Sequence, residues 1–142
     1  MRLNIKSRIL WRKETEMLKI IPMTDPAEQE KICLQCGIDY DKTKFAYGAY
    51  EDGETVGASV FYVEGGKGYI SDLRIKDEGN LPLAMILGRA VLNFLDLHGV
   101  HEAFFEKRGE FYGKAARVIG FKEKDGELYA NLEGMFTSEH HH

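Results

Sequence analysis

Between Phe45 and Ile75 three β-prone runs follow one another, separated only by short glycine turns, and this constrains the fold more than any other feature. Phe45 to Tyr50 is rich in aromatics and leads into Glu51-Asp52-Gly53-Glu54. Asp-Gly between two β-prone runs is a strong hairpin signal, because both central residues accept the left-handed backbone that a tight two-residue turn needs. Thr55 to Val63 is apolar on both faces and reads as a central strand. Glu64-Gly65-Gly66-Lys67-Gly68 turns the chain again into Tyr69–Ile75. There Tyr69, Ser71, Leu73 and Ile75 fall on one face and Ile70, Asp72 and Arg74 on the other. Three consecutive antiparallel strands form a meander.

Beyond it the period changes. Leu83, Ile86, Leu87, Ala90, Phe94 and Leu97 recur at steps of three and four, which predicts an amphipathic helix over Leu81–His98. Asn80 suits its N-cap, and Gly99 its left-handed stop. Upstream, Met17–Met23 reads as a first strand, and Ala27–Cys36 as a helix opened by Asp25-Pro26 and ended by Gly37. Downstream, His101–Glu106 reads as a strand and Glu110–Ile119 as a helix closed by Gly120. Phe121–Lys124 and Glu127–Leu132 flank a second Asp-Gly turn at Asp125-Gly126. The order β-α-β-β-β-α-β-α-β-β makes this an α+β, mixed α/β chain, with a parallel neighbour pair allowed across the long helix.

The 142 residues suit one domain, and 44% hydrophobic with 30% charged residues is the composition of a globular protein with a real core. Residues 17–136 are expected to form it, with 1–16 an N-terminal extension and 137–142 a tail that looks like a tag remnant. No stretch of 18 apolar residues occurs, and the first residues lack the apolar run of a signal peptide, so a cytoplasmic location without a membrane partner is expected. The net charge of −4 is uneven: the first 16 residues carry five Lys or Arg against two Glu, leaving an acidic body. An acidic body disfavours nucleic-acid binding.

Cys33 and Cys36 form a C-x-x-C, but no second pair or nearby His pair completes a zinc site. Two buried or half-buried thiols are the expectation. His98 and His101 bracket the turn after the long helix, where a helix C-terminus explains a histidine without a metal. Phe45, Tyr47, Tyr50, Phe61 and Tyr62 read as cross-strand packing pairs, with an acceptor pocket the alternative.

Three local pieces, in this order of elements, resemble the GNAT family of acyl-CoA N-acyltransferases. Tyr69-Ile70-Ser71-Asp72-Leu73-Arg74-Ile75 is similar to the family's fourth strand, of the form I-x-D-L-x-V. Lys76–Gly99 matches its pyrophosphate loop and following helix, and Ala115–Phe121 ends in the Gly-Phe that follows its last helix. The resemblance implies a GNAT-like fold of about seven mostly antiparallel strands. It implies a cosubstrate, acetyl-CoA or another acyl-CoA, with no metal, and a small-molecule or peptide amine as acceptor. Leu73, Arg74 and Ile75 would meet the pantetheine arm, and Gly79, Asn80, Leu81, Leu83 and Ala84 the pyrophosphate. The family loop R/Q-x-x-G-x-G/A is replaced here by Gly79-Asn80-Leu81-Pro82-Leu83-Ala84, in which only Ala84 fits and Pro82 has no N–H to donate.

Three candidates for proton transfer follow. Asp72 lies on the strand that would border the acceptor, where a carboxylate could take a proton from the amine, and Glu106 is a weaker choice. The alternative role of Asp72 is an ion pair with Arg74 or Lys76. Many family members carry an acidic Tyr four residues before the Gly-Phe. That position is Ala116 here, and Tyr112 stands one turn earlier on the same helix face. The alternative to an enzyme is a catalytically inactive GNAT-like domain that binds a ligand or a second copy through an open sheet edge and the Phe104-Phe105 strand.

Overall fold

A computed structural model describes residues 17–106 and 109–136. The extension 1–16 and the tail 137–142 lie outside the described residues. The elements are β1 (Leu18–Met23), α1 (Pro26–Cys36), β2 (Phe45–Glu51), β3 (Glu54–Glu64), β4 (Lys67–Ile75), α2 (Leu81–Leu97), β5 (Glu102–Phe105), α3 (Glu110–Ile119), β6 (Lys122–Lys124) and β7 (Glu127–Asn131). They form one seven-stranded sheet in the order β1-β2-β3-β4-β5-β7-β6. Neighbours are antiparallel except β4 and β5, the pair joined across α2. Both edges are blunted: β1 carries Pro22, which cannot donate to a further strand, and β6 is three charged residues long.

The turn chemistry explains the meander. Asp52 and Gly53 both take positive φ (53° and 86°), as do Asp125 and Gly126 (54° and 82°), the conformation that makes Asp-Gly a hairpin turn. Asn80 caps α2 by accepting from the Leu83 N–H at 3.1 Å. Asp25, by contrast, makes no side-chain cap on α1; Pro26 in the first turn removes one of the donors in need of one.

The main core lies on the face of the sheet covered by α2 and α3 and includes Phe61, Ile70, Leu73, Leu87, Leu92 and Leu95. A smaller core on the other face packs α1 over the first strands through Ile32, Cys33, Ala58 and Val60. On the main-core face α2 comes close to the sheet at Gly68, where a Cβ would stand 2.5 Å from Leu95 Cδ1.

The simple alternation expected along Tyr69–Ile75 does not hold. Ile70, Leu73 and Ile75 are all at most 4% exposed in the main core, so Ile70 does not share a face with Asp72 and Arg74. The reason is a β-bulge. Phe61 faces Ile70 and Val60 faces Asp72, leaving Ser71 without an opposite residue and inverting the parity on either side of it. Two serine hydroxyls hold the bulge. Ser71 Oγ donates to the Val60 carbonyl at 3.1 Å, and Ser59 Oγ, fully buried, donates to the Asp72 carbonyl at 2.9 Å.

Leu95 is fully buried and packs against Gly68. Leu95→Ala is therefore expected to cost about 2–5 kcal/mol, seen as a lower urea midpoint at unchanged slope.

Candidate active site

The bulge coincides with the point where β4 and β5 part. Their parallel pairing runs over Gly68–Ala103, Tyr69–Phe104 and Ile70–Phe105, and the Glu106 N–H to the Ile70 carbonyl, at 2.9 Å, is the last link. From Ser71 to Ile75 β4 keeps β3 on one side but no longer has β5 on the other. A wedge opens there, with α3 beneath it. Its donors are covered by the protein's own side chains. The Leu73 N–H donates to Asp72 Oδ1 at 2.9 Å, and the Ile75 N–H to the Tyr112 hydroxyl at 3.2 Å.

The sequence candidates are brought together in part. Asp72 and Tyr112 both reach this stretch of β4, from opposite faces. Asp72 lines a depression of about 170 Å³ with Ile38, Val60, Ser71 and Arg74, on the α1 side. Arg74 Nε lies 3.5 Å from its Oδ1, so the ion pair with Arg74 is present. Tyr112 is buried on the main-core side, and its hydroxyl donates to Glu78 at 3.0 Å while accepting from Ile75. Burial, reinforced by the Glu78 carboxylate and opposed by the Ile75 N–H, pushes the phenol up to about 12. Ala116 is buried one turn further along α3. Glu106 is exposed and accepts from the Tyr62 hydroxyl at 2.8 Å.

The N-terminus of α2 is the other half of the site. A helix start normally offers unpaired N–H groups to an anion. Here the Gly79 N–H donates to Asp77 Oδ1 at 3.1 Å, that of Asn80 to the Asp77 carbonyl and that of Leu81 to the Gly79 carbonyl. Leu83 donates to the Asn80 side chain and Ala84 to the Asn80 carbonyl, while Pro82 has no donor. Each donor from Gly79 to Ala84 therefore has an internal acceptor, and Asp77 and Glu78 add negative charge beside them. Leu83 and Ala84 are buried in the main core, with Leu81 packed against it. The two parts of the site differ: the β4 edge offers aligned donors capped by side chains, whereas at the helix start backbone carbonyls and the Asp77 and Asn80 side chains take each backbone donor from Gly79 to Ala84.

Several participants escaped the sequence reading. Ser59 was legible only as one polar residue inside an apolar strand, and Asp77 and Glu78 only as an acidic loop. Of the five aromatics considered, Phe45, Tyr47 and Phe61 cluster with Phe94 under the sheet, with ring centroids 5.5–6.1 Å apart. Tyr50 instead faces Met23, and Tyr62 lies outside both cores. Cys33 and Cys36 are free and buried, and burial pushes the Cys33 thiol up to about 11, the opposite of what a redox pair needs. His98 bonds the Phe94 carbonyl at 2.8 Å, and His101 pairs with Asp96 at 2.7 Å. Among the described residues no group of three His, Cys, Asp or Glu could hold a metal, and no helix is long and apolar enough to cross a membrane.

The Tyr112 bonds have a measurable signature. The folded protein holds the phenolic proton more tightly than the unfolded chain, whose tyrosine titrates near 10. The stability it contributes is thus complete below about pH 10 and is lost as the pH rises through about 12. Tyr112→Phe should flatten this alkaline loss. At neutral pH it should cost about 1–3 kcal/mol in denaturant titration, because the buried Ile75 N–H loses its acceptor.

No protein-family model matches the sequence, and no curated protein does. Solved structures do match. An IAA acetyltransferase from Bacillus cereus aligns over 82% of this chain and 100% of its own, at 12% identity and a TM-score of 0.66. The ribosomal-protein-S18-alanine N-acetyltransferase from Escherichia coli aligns over 82% and 94%, at 13% identity and a TM-score of 0.62. A GNAT family acetyltransferase from Elizabethkingia anophelis, with acetyl-CoA bound, aligns over 81% and 98%, at 14% identity and a TM-score of 0.59. With the β4–β5 wedge and the strand order above, these matches show that the chain has the fold of the GNAT acyltransferases.

Proposed function

We propose that the protein is an N-acyltransferase that passes an acyl group from acyl-CoA to an amine by direct attack, without a covalent enzyme intermediate. One observation carries this reading: β4 leaves β5 at the Ser71 bulge and directs the Leu73 and Ile75 N–H groups into the wedge, where only side-chain oxygens cover them. An extended arm with amide carbonyls can take the place of those oxygens, in the manner of an added strand. Acyl-CoA, when bound, supplies the thioester carbonyl that the amine attacks.

The protein's own groups divide the remaining work. Leu73, Arg74 and Ile75 present the backbone that holds the arm. Gly79, Asn80, Leu81, Leu83 and Ala84 surround the helix start, which receives the pyrophosphate once Asp77 turns away. Asp72, in the depression on the acceptor side, takes the proton from the attacking amine. Tyr112 is a weak acid: at about 12 it stands far above an ordinary thiol near 8.5. It therefore acts on a developing thiolate by donating a hydrogen bond, and gives up its proton only against a steep gradient.

A second reading has its own support. The internally bonded loop and its two carboxylates favour a GNAT-fold module that binds a ligand or a second copy without catalysis. The blunted sheet edges argue against a second copy joining by strand addition.

Calorimetric titration of the full chain with acetyl-CoA separates the two. Binding by the native protein, tightened about tenfold in Asp77→Ala, is expected, because that change frees the Gly79 N–H and removes a charge facing the phosphates. Absence of binding by both proteins at millimolar ligand would remove the acyltransferase reading. With a competent amine, Asp72→Asn should lower kcat by about 10²–10⁴-fold while the protein still binds acetyl-CoA.

A further inference from the structure

The face of the sheet bearing α1 carries a ladder of four rings on four adjacent strands, and none of them belongs to either core. Tyr62 stacks on Tyr69 at 5.0 Å, Tyr69 on Phe104 at 5.2 Å, and Phe104 meets Tyr129 at 5.3 Å. Three of these rings already hold an ammonium. Lys44 Nζ lies 5.1 Å from the centre of Tyr62, Lys67 Nζ 5.9 Å from Phe104, and Lys124 Nζ 4.4 Å from Tyr129. The negative faces of the rings attract cations, so the surface has a demonstrated use for this charge.

Lys67 and Lys124 are supplied by the ends of strands beside their rings. Lys44 is different. It reaches over from the segment before β2, and its Nζ also lies 3.4 Å from Ser71 Oγ, the hydroxyl of the bulge. The ammonium therefore sits where β4 leaves β5, in the depression that Asp39 and Asp72 also line. The phenol end of Tyr62 is held by Glu106, which fixes the ring. One notch thus offers a ring face, a hydroxyl acceptor and nearby carboxylates, the set of partners a primary ammonium needs on losing water.

We propose that the notch between Tyr62 and Ser71 is a binding seat for a primary ammonium on an unbranched alkyl chain, such as a lysine side chain, and that Lys44 fills it as a built-in surrogate when no ligand is present. Naming that ligand the acyl acceptor rests on the acyltransferase reading; the seat itself does not depend on acyl-CoA. An external amine has to displace Lys44, which competes at the high effective concentration of a tethered group. Removing the Lys44 charge vacates the seat.

The test uses Nα-acetyl-lysine methylamide as probe and the matching norleucine amide as a control lacking the ammonium. Binding is followed through the ring resonances of Tyr62 and Tyr69 in the full chain. Lys44→Met should bind the lysine amide about tenfold more tightly than the native protein, a gain comparable to one cation–π contact, and should not bind the norleucine amide. Lys44→Gln should behave like Lys44→Met, which guards against a fault in folding of either variant. Adding Tyr62→Leu to Lys44→Met should abolish the gain. Equal affinity in native and Lys44-substituted proteins, or equal binding of the two amides, would overturn the proposal. Acetyl-CoA titration of the same samples keeps the two readings apart. Loss of acetyl-CoA binding with the seat intact counts against the acyltransferase alone, and the reverse counts against the seat alone.

Discussion

The extra residue in β4 governs the rest of the site. Without Ser71 bulged out, the strand would continue flat beside β5 and its N–H groups would be spent on the neighbouring chain. The bulge is costly in isolation, since it leaves one residue out of the ladder. Two serine hydroxyls, from Ser59 and Ser71, bind carbonyls of the opposing strands on either side of it and make the irregular geometry specific. From this follow the wedge, the facing of Leu73 and Ile75 toward the main core, and the facing of Asp72 toward the α1 side.

The helix start shows a competition that recurs wherever an anion site is built on a helix. The same donors that could hold a phosphate must otherwise find partners, and a sequence can supply those partners internally. Here Asn80 and Asp77 do so, and the result is a well-capped α2 with little left to offer. Tyr112 plays the equivalent part on β4. The closures of Leu73, Ile75, Gly79 and Leu83 are side chains on rotatable bonds, so a ligand taking those donors would exchange one set of hydrogen bonds for another and gain only the difference between them.

Much of the architecture was legible in the sequence. The change of period from two to three-and-four near Leu81, and the Asp-Gly turns, express backbone geometry directly in residue spacing, so the order of elements and the parallel crossing could be read. The facing of Ile70 could not. A bulge shifts parity by one residue, and no periodic pattern marks its position; Ser71 is a common strand residue. The capping of Leu73, Ile75 and Gly79 was hidden for another reason. It depends on where side chains from Asp72, Tyr112 and Asp77 end in space, and for Tyr112 the partner lies 37 residues away. The open-face ladder was partly visible as alternating aromatics, but which of Phe61 and Tyr62 faced the core depended on register.

The short parallel join between β4 and β5 has a mechanical consequence. Among the described residues three residue pairs, all on the parallel pair β4–β5, connect the meander β1–β4 to the C-terminal group β5, β7 and β6, while antiparallel ladders join the strands within each group. Across that seam the helices act as the clasp, with α2 close enough to α3 that a Cβ at Gly88 would stand 2.6 Å from Ile119 Cδ1. The sheet is thus two antiparallel groups joined by one short parallel pair, with every hairpin lying within one group or the other. The end of this short join is where β4 leaves β5, so the seam between the two groups and the wedge are one feature of the sheet.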